Sequence, residues 1–197
     1  DEVEIRPIAE IAELFSLEAV NTAPALFDLK KLDHINAEYI KALGPAEFVA
    51  AAEPWLPDHY DRAVVEALAA EVQQRISTLS EAAGWLDWLF VDGIADYDEK
   101  GWTKAMVKGR AAARVLDEIA TGLADAAFDA ASRLESTVMA VGDRLTEELE
   151  ARVMSQAPLR IALTGRAAGI PLWEAMTHLG RDRTLARIAA ARARLED

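Results

Sequence analysis

Residues 155–180 read SQAPLRIALTGRAAGIPLWEAMTHLG, and their punctuation decides the fold class. Pro158 and Pro171 stand where the first turn of a helix can spare an N–H and gains from a fixed φ. Gly165 and Gly180 stand where a helix ends on a left-handed residue. The spacing predicts two short capped helices joined by Arg166, Ala167, Ala168, Gly169 and Ile170. Arg160 falls in the first turns of the leading helix, reaching outward from a fixed backbone.

The remainder of the 197 residues agrees with an all-α fold. Alanine, leucine and charged residues dominate, with 10 glycines, 7 prolines and hardly a β-branched run. The length suits two or three small helical subdomains. The chain has no cysteine, which excludes disulfides, thiolate metal sites and a thiol nucleophile. No apolar run approaches the roughly 18 residues of a membrane span, and the opening DEVEIRPIAE is acidic where a signal peptide is basic. The chain reads as soluble, with no membrane partner. It opens without methionine inside a helical pattern, which reads as a piece of a longer protein.

A net charge of −13 argues against a general nucleic-acid binder, and no DNA partner is expected. The average hides an asymmetry. After Pro158 come seven arginines against four acids, whereas before it acids outnumber bases by sixteen. An acidic body with a basic end can bind RNA locally while repelling it elsewhere.

Along the chain, residues 5–17 carry a helical stripe (Ile8, Ile11, Leu14, Phe15) that Asn21, Thr22 and Pro24 break. A second stripe runs through Leu32, Ile35, Tyr39 and Ile40, and a short helix over 46–52 stops at Pro54. The connector PWLP at 54–57 sets a first boundary. A helix over 61–79 follows, with Val64, Val65, Leu68, Val72, Ile76 and Leu79 on one face. At about 100° per residue, Arg75 falls inside that stripe. A charge there must pair with a carboxylate, snorkel to an edge or face a cleft. The aromatic knot at 85–90 is expected as core, and the acidic loop 91–100 sets a second boundary. Helices are predicted over 102–116, 119–133 and 138–153. The expected subdomains are 1–57, 58–97 and 98–197.

No catalytic or metal constellation emerges. His34, His59 and His178 lie in separate regions. Glu174 and His178 are four apart, not the Glu-x-x-His of a bundle di-metal site. Neither H-E-x-x-H, nor a phosphate-cradling Gly-rich loop, nor Gly-x-Ser-x-Gly occurs.

The pattern PLRxALTG followed by PLWExMxxLGxxRTLxR resembles the last portion of bacterial glutamyl-tRNA synthetases. Two upstream stretches resemble the same family in the same order: LFDLKKLDHINAEYI at 26–40, similar to its FD-x-x-KL-x-x-(L/I)N-x-x-YI segment, and RISTLSEAAGWLDWLFVD at 75–92. The resemblance covers nearly the whole chain. It implies the end of a stem-contacting region followed by two helical anticodon-binding subdomains, an α-helix cage. It implies that Arg75 reads the third anticodon base, a cytosine distinguished from the guanine of tRNA-Gln. Arg160 would contact an anticodon nucleotide and Leu172 would pack against a splayed base, with Thr164, Arg166 and Trp173 as neighbouring candidates. His34 and Ala37 stand where the family more often has an aromatic residue and a glycine.

The family's HIGH-type and KMSKS-type signatures are missing. The resemblance therefore places ATP, Mg²⁺ and glutamate activation in a catalytic domain outside this chain, with no cofactor in this segment. It implies tRNA-Glu as partner, a monomer and a cytoplasmic location. Two alternatives remain at this point: an independent tRNA-binding or regulatory paralogue, and a helical protein–protein adaptor that no longer binds RNA.

Overall fold

The computed structural model describes residues 5–20 and 26–196; the break predicted at Asn21, Thr22 and Pro24 lies outside them. Among the described residues every regular element is helical. Helix α1 (Ile8–Leu14) and α2 (Leu29–Ala42) come first. Asp28 starts α2 by accepting the N–H groups of Lys30 and Lys31 at 2.9 and 3.3 Å, satisfying donors that an unfinished helix leaves open. Helix α3 (Pro45–Ala52) opens on Pro45, and Glu47 reaches back to the Gly44 N–H at 2.9 Å.

The helix predicted over 61–79 is not continuous. Starting on an Asp61 cap, it runs as α4 (Arg62–Ala67), breaks at Leu68 (φ −103, ψ 5) and resumes as α5 (Ala69–Gln73). Its apolar stripe is nonetheless buried, with Val65, Leu68, Val72 and Ile76 all in the core. At the end of α5 Gln73, also buried, donates its side-chain amide to the carbonyls of Ile40 and Leu43 at 2.7 and 2.9 Å. Both acceptors lie at the end of α2, where carbonyls run short of intrahelical donors, and Gln73 ties α5 to that end. Arg75 therefore lies past the helix end, not on its apolar face.

Helix α6 (Ala82–Leu86) and a 3-10 turn (Asp87–Leu89) deliver the expected aromatic knot, in which Tyr60 stacks on Phe90 at 4.1 Å. Helix α7 (Glu99–Trp102) runs into a π turn (Thr103–Val107), and Ala111 at φ 56 starts α8 (Ala112–Ala124). The break predicted near 117 is absent, because Val115, Leu116, Ile119 and Leu123 form one uninterrupted buried stripe on α8. The chain instead turns at 125–130 before α9 (Ala131–Glu148).

The Pro/Gly-punctuated stretch forms α10 (Gln156–Thr164) and α11 (Leu172–Leu179), followed by α12 (Arg181–Arg194). Gly165 (φ 71, ψ −1) takes the left-handed cap that the sequence predicts, whereas Gly180 (φ 82, ψ 165) ends α11 at positive φ with an extended ψ. Gly165 also admits a close approach, since a Cβ there would lie 2.6 Å from the Asp96 carbonyl oxygen. Its own carbonyl accepts the Asp98 N–H at 2.7 Å, tying the acidic loop to the end of α10.

Helix α8 packs between α9 and α12, α10 lies against α12, and α11 against α9. Leu159, Ile161 and Leu163 are all but inaccessible on α10, each stabilising the packing by about 1.5–3 kcal/mol. That burial fixes the direction in which Arg160 leaves the helix. No helix is long and apolar enough to cross a membrane, among the described residues.

Candidate nucleic-acid interface

Arg160 projects from α10 half-buried, and its guanidinium makes one hydrogen bond among the described residues, to the Ile170 carbonyl at 3.0 Å. Gly169 lies against it: a Cβ at Gly169 would be 3.1 Å from Arg160 Nη1. Among the described residues no carboxylate pairs with Arg160. Burial and the nearby charge of Arg75 both push its pKa below the usual arginine range. The structure thus brings together two of the predicted arginines although 85 residues separate them in sequence. Arg75 is half-buried in the turn after α5, and its guanidinium contacts the backbone carbonyl of Glu71 and, at 3.1 Å, that residue's carboxylate. Pairing with a carboxylate is therefore the outcome for Arg75 among those open in sequence.

Thr164 is buried and works inside the turn. Its hydroxyl donates to the Arg160 carbonyl at 2.8 Å and accepts the Arg166 N–H at 3.1 Å. Arg166 is exposed and reaches across to the Gly84 carbonyl and to Asp87 Oδ2 at 2.7 Å. Leu172 is 1 % exposed and Trp173 is 7 % exposed. In this conformation Leu172 packs into the core at the start of α11 and contributes shape to the loop above it, not surface.

Between Arg166 and the aromatic knot is a cleft of about 200 Å³, lined by Trp85, Trp88, Thr164, Ala168 and Gly169 among others. It adjoins a second cleft of about 290 Å³ bordered by the loop at 91–96. An indole wall, a guanidinium edge and a Gly-containing rim can stack a planar ring and hydrogen-bond its edge, as single-stranded bases are bound. Asp87, Gly169 and Trp85 escaped the sequence reading as site residues. Gly169, between two capped helices, was the one signal that could have found the rim.

The arginines of the basic end are tied into the fold by their donors. Arg187 is buried (2 % exposed) and donates to the carbonyls of Leu163 and Trp88, both at 2.7 Å, and of Val91. Its pKa falls to about 10 through burial and the neighbouring Arg183, so it remains charged at neutral pH. Arg192 pairs with Asp117 and Glu196, Arg194 with Glu99, and Arg181 and Arg183 donate to the carbonyls of Ala126 and Val91. All seven arginines after Pro158 thus have a partner within the fold, while Arg166, Arg181 and Arg194 stay exposed to solvent.

Among the described residues no three His, Cys, Asp or Glu side chains are grouped to hold a metal ion, so the residues present do not form a Mg²⁺ site and no step is derived through one.

Residues 47–192 match the family model of an anticodon-binding domain. The glutamate–tRNA ligases of Salinispora arenicola and Thermobifida fusca are 44% and 39% identical over 98% and 100% of this chain, and the match covers 42% of each relative. The chain therefore spans about two fifths of the length of these curated relatives. A crystal structure of a glutamate tRNA ligase from Elizabethkingia meningosepticum superposes with a TM-score of 0.84 at 19% identity, over 98% of this chain and 38% of that one. This last likeness is one of fold.

Proposed function

Because the chain belongs to the anticodon-binding domain family, we propose that it reads the anticodon of tRNA-Glu as part of a glutamate–tRNA ligase. The observation that carries this reading is the placement of Arg160: half-buried, without a carboxylate and pressed by the charge of Arg75. A guanidinium held in that way gains from an electron-rich base edge or a phosphate arriving beside it, and its planar fork suits both.

In this reading Arg75 distinguishes the third anticodon base and Arg160 contacts an anticodon nucleotide. Arg166 borders the cleft for a splayed base, Thr164 fixes the turn between the two arginines, and Leu172 supports the loop on which a base rests. The boundaries after 57 and 97 separate the end of a stem-contacting part from two anticodon-binding subdomains. The rest of the protein supplies ATP, Mg²⁺, glutamate and the ligation chemistry. The chain works in the cytoplasm as a monomer. Its contribution is recognition and placement: contact at the anticodon seats the acceptor end for reaction.

Nuclease footprinting tests this directly. The chain should protect the anticodon nucleotides of tRNA-Glu, and an Arg160→Gln variant should lose that protection. Protection confined to the acceptor stem, or none, would contradict the reading.

A further inference from the structure

Resting on that anticodon reading, we propose a second contact site: the groove beside the π turn binds phosphates of the RNA strand next to the anticodon. The groove has a volume of about 470 Å³ and is lined by Lys104, Lys108, Arg110 and Arg152 around a floor that includes Pro158 and Ile161. No acidic residue lines it, in a chain whose net charge is −13. All four cations are exposed, and none of their side chains has a hydrogen bond or ion pair within the described residues. Every arginine after Pro158 is engaged inside the fold. The groove is where unpaired positive charge is concentrated near the anticodon site.

The local backbone holds the cluster together. Lys104 and Lys108 lie four residues apart on and just after the π turn, and Arg110 precedes the left-handed Ala111 that redirects the chain into α8. Arg152 comes from the segment leading into α10. The groove and the anticodon cleft share α10 and its following loop: Ile161 and Ala167 line the groove, whereas Thr164, Ala168 and Gly169 line the cleft. At about 100° per residue, Ile161 faces a quarter-turn away from Arg160. A strand crossing the loop at 165–170 can therefore touch both.

The chemistry is that of phosphate. Two ammonium groups and two guanidinium groups without an aromatic platform or an acceptor offer charge and no base readout. The apolar floor suits a sugar face. Such contacts add affinity in a salt-dependent, sequence-independent way, complementing the base-specific cleft.

The test is binding of the chain to a tRNA-Glu transcript between 50 and 200 mM KCl, for the native sequence and for a Lys104→Gln/Lys108→Gln/Arg110→Gln/Arg152→Gln variant. Each lost phosphate contact should lower the slope of log K against log salt by about 0.7, so four lower it by about 3. The native chain should lose roughly fiftyfold more affinity than the variant over that range. A Lys104→Gln/Lys108→Gln double variant should fall midway. Preference for the native third anticodon base should survive in both variants. An unchanged slope with base preference intact would overturn the groove and leave the anticodon reading standing. Absence of native binding to tRNA would overturn both. Binding of a poly-glutamate peptide as tight as that of tRNA, and lost in the fourfold variant, would replace RNA with an acidic protein partner.

Discussion

Arg160 is made harder to protonate by burial and, beyond that, by the nearby charge of Arg75. Arg75 is offset by Glu71, and Arg160 by one backbone carbonyl alone. Like charges held together at a loop rim lose some stability unless something negative or electron-rich lies between them. This arrangement is the physical core of the proposed anticodon site.

Arg75→Gln should alter recognition without altering the fold. The Arg75–Glu71 pair is partly exposed, and such pairs contribute about 0–1 kcal/mol. Urea denaturation should show a stability within about 0.5 kcal/mol of native, while the preference for cytosine over guanine at the third anticodon base should narrow. Equal discrimination by the two proteins would count against Arg75 as the reader.

Gly169→Ala tests the rim. The new methyl would sit 3.1 Å from Arg160 Nη1, so the guanidinium must shift by a few tenths of an ångström. The expected result is a tRNA affinity weakened by about 1 kcal/mol, in the range of one perturbed charged hydrogen bond, with the melting temperature nearly unchanged. If affinity is unaffected, the Arg160 position is not important for binding.

Arg187 should behave as a structural residue. Its three acceptors lie at or near the ends of α10 and the 3-10 turn, where helix carbonyls lack intrahelical partners and carry partial negative charge. Arg187→Met strands the carbonyls of Leu163 and Trp88, leaves that of Val91 to Arg183 alone, and should cost about 3 kcal/mol in urea unfolding. Arg187→Lys should fall between, since an ammonium lacks the fork to reach all three.

Acid should loosen the contact between α8 and α9. Arg114 donates to Glu148 through two bonds of 2.7 and 2.6 Å, and to Glu118 at 2.7 Å, while Arg144 also pairs with Glu118. The Glu148 carboxyl is held below the ordinary glutamate range by hydrogen bonding from Arg114. For Glu118, burial opposes ionisation but the contacts with Arg114 and Arg144 outweigh it, and its pKa is lowered too. Groups depressed in the folded state give their stability above the unfolded pKa and lose it as pH falls through the folded one. Stability should decline from about pH 5 downward, and Glu148→Gln should make that decline shallower. Parallel pH profiles for the two proteins would contradict this.

The elements with the clearest sequence signals were those built from local backbone chemistry. Pro158, Gly165 and Gly180 specify helix ends by φ and missing donors alone, and they occur where expected. Burial of Val65, Leu68, Val72 and Ile76 was also legible, since side-chain periodicity survives a local break. The break at Leu68 was not, and neither was the tie from Gln73 to carbonyls 33 and 30 residues away, because both belong to tertiary packing. The same applies to the arginines after Pro158. Their number is visible in sequence, but whether each meets a carbonyl, a carboxylate or solvent is decided by tertiary contacts. Conversely, Lys104, Lys108, Arg110 and Arg152 follow no sequence motif, and it is the π turn and the entry to α10 that bring them around one groove.

The most direct measurement is equilibrium binding of the chain to tRNA-Glu and to the same tRNA with its third anticodon base changed from C to G, repeated with Arg75→Gln and Arg160→Gln. The account predicts that the native chain prefers the unaltered tRNA, that Arg75→Gln narrows this preference, and that Arg160→Gln weakens binding to both. Native binding indifferent to the base would contradict the claim that this arginine pair reads the anticodon.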